Sequence, residues 1–380
     1  MLSVRIRLLT TTAIAALLVV PGVAQAAQPA GANAVQRGLE RLVAAPGGPP
    51  GAIATIHRGG RTTVLSAGRS DVRRPGAPRA SDHMRIASVA KAFSGAVALN
   101  LVRKGKLRLG DTIGQRLPNL PTAWHSVTLR QMLNHTSGLP DYSGSQGFKD
   151  QLTSDPGAYV SPSTIVEWIA DQGLVFPPGS SYAYSNTDNI FVALMAEAAT
   201  GKSYGGLLKS IVFRPAGLSE TSLPIRSTTL PRPFIHGYLT EPNEPPEDVT
   251  TLISPSGAWA SGGLVSTPRD LGAFFRAYLR GKFFGTAQKR AQRRFVPGGA
   301  SVPPGPGANS AGLALFRYHT RCGTVYGHTG SFPGYAQWVA ATADGRRSAT
   351  TTLNIPPPEG AALESLRRMQ TAAVCALLSK

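Results

Sequence analysis

Three short groups of residues in this 380-residue chain have the types and the order needed for acyl transfer. The first is Ser88-Val89-Ala90-Lys91, a Ser-x-x-Lys that opens a stretch in which Val89, Ala90, Phe93, Val97, Leu101 and Val102 recur at helical spacing up to Gly105. One helical turn separates serine from lysine, so their side chains share a face and can touch. A serine at a helix N-terminus also lies where free N–H groups and the helix dipole favour developing negative charge. The plain alternative is a capping serine followed by a surface lysine. The second group is Tyr184-Ser185-Asn186, in a turn after Pro177-Pro178-Gly179 and just before a helix. The third is His328-Thr329-Gly330, at the end of a predicted edge strand. Taken alone, Tyr184 is an ordinary half-buried tyrosine, Asn186 an N-cap and His328 a solvent-facing strand end. Their succession on a helix start, a loop and a strand makes accident a poor account.

A serine hydroxyl is a weak nucleophile and needs a neighbouring base. No Asp–His pair is evident, so the candidates are Lys91 and Tyr184, which ordinarily titrate near ~10.4 and ~10. Lys91 and a protonated His328 beside the phenol would lower the Tyr184 pKa, whereas burial would lower that of Lys91. The expectation is Tyr184 acting with Lys91 and returning its proton to the leaving amine. His135 reads as structural, closing the turn after Leu133. A Gly-x-Ser-x-Gly elbow is absent, so an α/β-hydrolase reading has no support.

The elements that must position these groups follow from periodicity and punctuation. Ala34–Ala45 is a short amphipathic helix, and two strands over 51–57 and 62–67 are joined by the hairpin signal Arg58-Gly59-Gly60-Arg61. The Ser88 helix follows, and Lys106–Pro121 reads as loop. Helices are predicted over Thr128–Leu133, from the Ser161-Pro162-Ser163 cap to Gln172, over Asn186–Thr200 and Tyr204–Phe213, and from Thr267-Pro268 to Arg280. The stretches 221–256 and 296–309, rich in Pro, Gly and Ser, are predicted surface loops. Strands follow at Leu313–Tyr318, Val325–His328, Tyr335–Ala341 and Ser348–Asn354, then a closing helix over Ala361–Leu378. With strands at both ends and helices between, the fold class is α+β. One antiparallel sheet would be built from residues 27–87 and 301–380 and flanked by the terminal helices, with 88–300 as a mostly helical insertion carrying Ser-x-x-Lys and Tyr-x-Asn.

Composition narrows the setting. Arg5 and Arg7, the apolar run Leu8–Val20 and the small-residue site Val23-Ala24-Gln25-Ala26 form a secretory signal peptide over 1–26. No other long apolar stretch occurs, so a soluble, exported protein without integral membrane association is expected. Losing Arg5 and Arg7 lowers the net charge from +19 to +17, and the remaining cations are scattered along the sequence without a basic helix or aromatic-interleaved stripe. Nucleic acid is therefore not the expected partner, and the charge reads as a solvated surface with weak attraction to anionic wall polymers. Two cysteines, Cys322 and Cys375, suggest one bridge in an oxidising compartment, the alternative being two buried thiols. The seven histidines are isolated, so neither metal nor cofactor is expected.

In these motifs the chain resembles the serine penicillin-recognising superfamily, the fold of DD-peptidases and class C β-lactamases. The resemblance rests on Ser88-x-x-Lys91, Tyr184-x-Asn186 and His328-Thr329-Gly330, with support from the Leu133–Pro140 run, and spans the chain from about residue 35 to its end. Class C enzymes usually carry Lys-Thr-Gly third; histidine there, and the placement of Cys322 and Cys375, are similar to the secreted soluble D-alanyl-D-alanine carboxypeptidases. The resemblance implies an oxyanion hole from the backbone N–H groups of Ser88 and Ser331, and substrate-amide binding by Asn186. Gly330 and the Thr329 hydroxyl would contact substrate, Arg317 would supply the cation for a terminal carboxylate, and Trp259 would line the pocket. It further implies cleavage of the terminal D-Ala of peptidoglycan stem peptides through an acyl-Ser88 intermediate, acylation by β-lactams, and a monomer. A β-lactamase, an esterase or D-aminopeptidase of the same fold, and a non-catalytic penicillin-sensing or wall-binding relative remain as alternatives.

Overall fold

The computed structural model describes residues 31–241, 244–356 and 359–379, so the signal peptide expected over 1–26 lies outside the described residues. The chain begins with helix α1 (Ala32–Ala44), followed by β1 (Gly51–Arg58) and β2 (Arg61–Gly68). Gly59 and Gly60 form the two-residue turn between them at φ +57° and +76°, the left-handed pair a tight hairpin requires, with Arg58 opposite Arg61. Helices α2 (Ala90–Arg103), α3 (Thr187–Thr200) and α4 (Pro268–Arg280) come next. The chain then returns through β3 (Ala308–Gly312), β4 (Leu315–Thr320), β5 (Gly323–Phe332), β6 (Tyr335–Ala341), β7 (Ser348–Leu353) and α5 (Gly360–Leu378). These strands form one seven-stranded sheet in the order β2-β1-β7-β6-β5-β4-β3, antiparallel throughout. The expected mixed α and β fold with a sheet assembled from both ends is what forms.

Burial explains why the central strands read as continuous apolar runs. Every residue of β6 and β7 is buried, because helices cover both faces of the sheet. On one face α1 and α5 pack over Phe316, Val325, Trp338 and Ala340. On the other, Leu315, Tyr335 and Val339 join the core of the helical region. Within that core α2 is buried on all sides from Ala90 to Leu101, so Lys91 is carried inside with it. Cys322, in the turn between β4 and β5, and Cys375, on α5, form a disulfide with Cα atoms 5.1 Å apart.

Several sequence expectations are corrected. β5 is interior and not an edge strand, because the β3–β4 hairpin lies beyond it. β3 falls partly within the stretch read as loop; Ala308-Asn309-Ser310-Ala311-Gly312 lacks β-branched or alternating apolar residues, and it pairs with β4 on one side and on the other makes a single bridge from Ala311 to Val296. The helix from Pro162 ends at Glu167, and the following turn gives its Gln172 carbonyl to the Trp124 indole. Tyr204–Leu207 is one α-turn that widens into a π-helix over Leu208–Phe213. Within Lys106–Pro121, a capping box between Thr112 and Gln115 starts a single helical turn, Ile113–Arg116.

Candidate active site

Ser88 lies in a 3-10 turn, Ala87–Val89, that leads directly into α2. Ala87 takes φ +51°, a left-handed conformation that costs a non-glycine residue energy, next to the proposed nucleophile. Strand β5 is pressed against this turn. A Cβ on Gly330 would stand 3.0 Å from the Ser88 nitrogen and 2.8 Å from the Ile86 carbonyl oxygen, so only glycine lets the strand approach this closely. Ser88 and Ser331 both border one cavity of about 290 Å³.

Lys91 Nζ stands 3.1 Å from Ser88 Oγ and donates to Asn186 Oδ1 at 2.7 Å and to the Ser261 carbonyl at 2.9 Å. Those last two contacts take two N–H groups. In the neutral amine they use every hydrogen it has, leaving its lone pair for the serine hydroxyl. Burial pushes the Lys91 pKa down to about 7, against the opposing pull of Asp141 and Asp188. Asn186 is fixed from its other end: its Nδ2 donates to both oxygens of Asp141, at 3.3 and 3.0 Å, and to Ser143 Oγ at 3.2 Å. Although Asn186 precedes α3, its side chain makes no cap hydrogen bond there.

Tyr184 lies over the same amine, its ring centroid 5.0 Å from Lys91 Nζ. Among the described residues its buried hydroxyl has no partner at hydrogen-bonding geometry. Burial drives its pKa well above the ordinary value, with the Ser88 hydroxyl pulling the other way. This corrects the expectation of a lowered Tyr184 pKa. His328 is likewise buried, held by a 2.6 Å contact between its Nδ1 and the Thr329 carbonyl, and burial pushes it down to about 3. Burial thus keeps the imidazole neutral, and it supplies no cation to the phenol; among the described residues its Nε2 has no hydrogen-bond partner. Beneath Tyr184, the His135 ring lies 4.5 Å away and its Nδ1 is 2.7 Å from Asp188 Oδ2, so His135 supports the site from below.

Three anticipated residues lie elsewhere. The Arg317 guanidinium sits 4.3 Å from the Phe295 ring centroid and does not border the Ser88 cavity. The Thr329 hydroxyl donates to the Pro303 carbonyl at 2.7 Å, which commits its proton away from the cavity. Trp259 is buried against Tyr204 at 5.4 Å; its neighbours Gly257, Ala258 and Ser261 border the cavity instead. Conversely, sequence reading missed Asp141, Ser143 and Ser261. Asp141 had a local signal, an acidic residue directly after Gly138-Leu139-Pro140, whereas Ser261 acts through a backbone carbonyl that no residue type announces. Among the described residues no three His, Cys, Asp or Glu side chains are grouped to hold a metal ion, and no helix is long and apolar enough to cross a membrane.

The cavity walls are uncharged. Tyr142, Phe148, Leu152, Val160, Ile253 and Phe332 supply the apolar surface, and among the described residues no Lys, Arg, Asp or Glu borders it.

Known proteins are similar to this chain in sequence and in fold. The chain is 29% identical over 279 residues to Penicillin-binding protein 4* of Bacillus subtilis, covering 69% of this chain and 58% of that protein. It is 27% identical over 214 residues to D-alanyl-D-alanine-carboxypeptidase/endopeptidase AmpH of Escherichia coli, covering 54% of this chain and 51% of that one. The chain thus spans little more than half the length of the curated relatives it matches. Among solved structures, a D-stereospecific amidohydrolase from Streptomyces sp. superposes with TM-score 0.75 at 29% identity, over 85% of this chain and 94% of the other. The D-amino acid amidase from Ochrobactrum anthropi SV3 superposes with TM-score 0.78 at 26% identity, over 91% and 98%. The Beta-lactamase family profile matches residues 37–373, nearly the whole chain, and the chain therefore belongs to the Beta-lactamase family.

Proposed function

We propose that the chain is an exported serine hydrolase that cleaves amide bonds of D-configured acyl donors through an acyl-Ser88 intermediate. The observation that carries this reading is Lys91: a buried amine with its pKa near neutrality, both N–H groups of its neutral form engaged, and its lone pair facing Ser88 Oγ. Lys91 takes the serine proton as Oγ attacks the carbonyl carbon. The oxyanion is held by the backbone N–H groups of Ser88 and Ser331. The tetrahedral centre then collapses, breaking the C–N bond. Tyr184, kept as a neutral phenol, gives its proton to the leaving amine and recovers one from Lys91. Water releases the acyl group by the reverse sequence. Asn186, anchored by Asp141, orients Lys91 and offers an edge to the substrate amide.

The cavity supports an apolar side chain on the acyl residue, and its uncharged wall supports an amide in preference to a substrate with a free terminal carboxylate. The named activities of the two solved neighbours point the same way. A terminal D-alanine carboxypeptidase is the second reading, favoured by the names of the curated relatives. It requires a carboxylate-binding cation, and neither Arg317 nor any residue of the cavity wall supplies one. Turnover of D-phenylalanine amide set against D-Ala release from a diacylated D-Ala-D-Ala peptide separates the two; the amide should be hydrolysed faster. A preference for the peptide would overturn the first reading. Intact mass after brief exposure to benzylpenicillin then reports on the shared step. A one-to-one adduct at Ser88 is expected, while rapid drug loss without adduct would mark a β-lactamase.

A further inference from the structure

On the opposite face of the sheet, α1 and α5 do not close completely. Between them and the turn from β4 to β5 lies a cleft of about 620 Å³, larger than the cavity at Ser88. Four arginines border it, Arg41 from α1, Arg321 from the turn, and Arg367 and Arg368 from α5, against one acid, Glu364. In sequence Arg41, Arg321 and the adjacent pair Arg367-Arg368 lie far from one another, so the chain order shows no basic cluster. The fold gathers them.

Two of the four are already engaged. Arg367 pairs with Glu364 at 2.8 Å and donates to the Gly305 carbonyl, which fixes its head at the cleft wall. Arg368 donates to Ser365 Oγ at 2.8 Å and keeps its charge uncompensated. Arg41 and Arg321 make no hydrogen bond or ion pair among the described residues, and both are exposed. Glu364 therefore answers one guanidinium and leaves three. The Cys322–Cys375 disulfide adjoins Arg321 and ties its turn to α5, so the spacing of Arg321 from Arg367 and Arg368 is held covalently. Ala34 and Gly38 line the cleft on α1, and Gly38 lets the two helices touch at its floor, where a Cβ would stand 2.7 Å from Met369 Cγ.

We propose that this cleft binds a phosphodiester chain, a linear polyanion lying between α1 and α5. Guanidinium groups suit phosphate oxygens, which they meet with paired N–H donors and without deprotonating. The lining runs from Ala34 to Arg41 on α1 and from Glu364 to Ala372 on α5, about 10 Å of helix in each case, more than one phosphate occupies. Because the cleft lies across the sheet from Ser88, a polymer can occupy it while the hydrolytic site stays open. The cleft would hold the enzyme on an anionic matrix without taking part in the chemistry.

The test measures binding of poly(glycerol phosphate) to the whole protein near 0.15 M ionic strength, where charges more than ~8 Å apart are largely screened. The variant Arg41→Gln/Arg321→Gln/Arg368→Gln spares Arg367, whose bonds hold the wall. A control, Lys104→Gln/Lys106→Gln/Lys202→Gln, removes the same charge from exposed sites outside the cleft. The cleft variant should bind about ten-fold more weakly or worse, and the control within about two-fold of the parent. Both should retain the parent melting temperature and the rate of Ser88 acylation. Equal losses in the two variants would overturn the proposal in favour of diffuse charge. Binding to phosphatidylglycerol vesicles with none to the soluble polymer would overturn it in favour of a lipid surface. Saturation by glycerol phosphate at the affinity of the polymer would overturn the chain-length argument.

Discussion

The molecule holds its cations in two opposite ways on the two faces of one sheet. Lys91 is a lone amine sealed inside the helical core, and burial outweighs two nearby carboxylates to bring it down to about 7. The arginines between α1 and α5 stand in an open cleft, where a guanidinium stays charged. Burial converts a cation into a base; exposure leaves it an anchor. The side chains would fail if exchanged. An exposed lysine is protonated and useless for activating serine, and a buried arginine cannot give up its proton.

The contrast can be broken by removing each part in turn. Replacing Ser88 with Ala should abolish the adduct, and Lys91→Met should lower kcat/KM by about 10³-fold or more, with both proteins folded by circular dichroism. Near-parental turnover by either would remove the basis of the mechanism. Gly330→Val forces a side chain into the 2.8–3.0 Å gap between β5 and the Ser88 turn. It should cost about 10²-fold in acylation rate, as a 1 Å displacement of reacting groups does, and progress curves with D-phenylalanine amide would read it. Tyr184→Phe keeps the ring over Lys91 and removes a proton donor, so a loss of about 10- to 100-fold in kcat is expected. On the other face, Cys322→Ser/Cys375→Ser opens a 53-residue separation. It should reduce stability by roughly 2–4 kcal/mol in denaturant titration while leaving kcat/KM of the folded protein unchanged. A large change in kcat/KM there would show that the two faces are coupled, contrary to their separation.

Much of this was legible in sequence because it depends on local pattern. The Ser-x-x-Lys spacing placed Ser88 and Lys91 on one helical face, and the glycine pair after Arg58 gave the hairpin. Thr267-Pro268 announced its helix, where the Thr267 hydroxyl accepts from the Asp270 N–H. What sequence could not supply was burial. Whether Tyr184 or Lys91 carries the base depends on solvent access and on His328 being neutral, and neither is a property of residue order. The substrate-binding expectations for Arg317 and Thr329 show the same limit. Arg317 belongs to the strand expected of it and Thr329 to one that runs past its expected end at His328, yet their heads turn to Phe295 and to the Pro303 carbonyl. Asp141 and the Ser261 carbonyl enter the site only because α2, α3 and two loops meet there. β3 escaped notice because its small and polar residues carry no strand signature.

The most direct test of the central claim is the pH dependence, between pH 5 and 10, of the second-order rate of Ser88 acylation by benzylpenicillin, which carries no group that titrates in that range. Lys91 has its pKa lowered in the folded enzyme, so the reactive neutral amine disappears as pH falls below that value. The rate should rise with pH on a single limb with a midpoint at about 7, and Tyr184→Phe should lower the plateau without moving that midpoint. A limb centred near the ordinary tyrosine range, and lost in Tyr184→Phe, would contradict the account and make the phenolate the base.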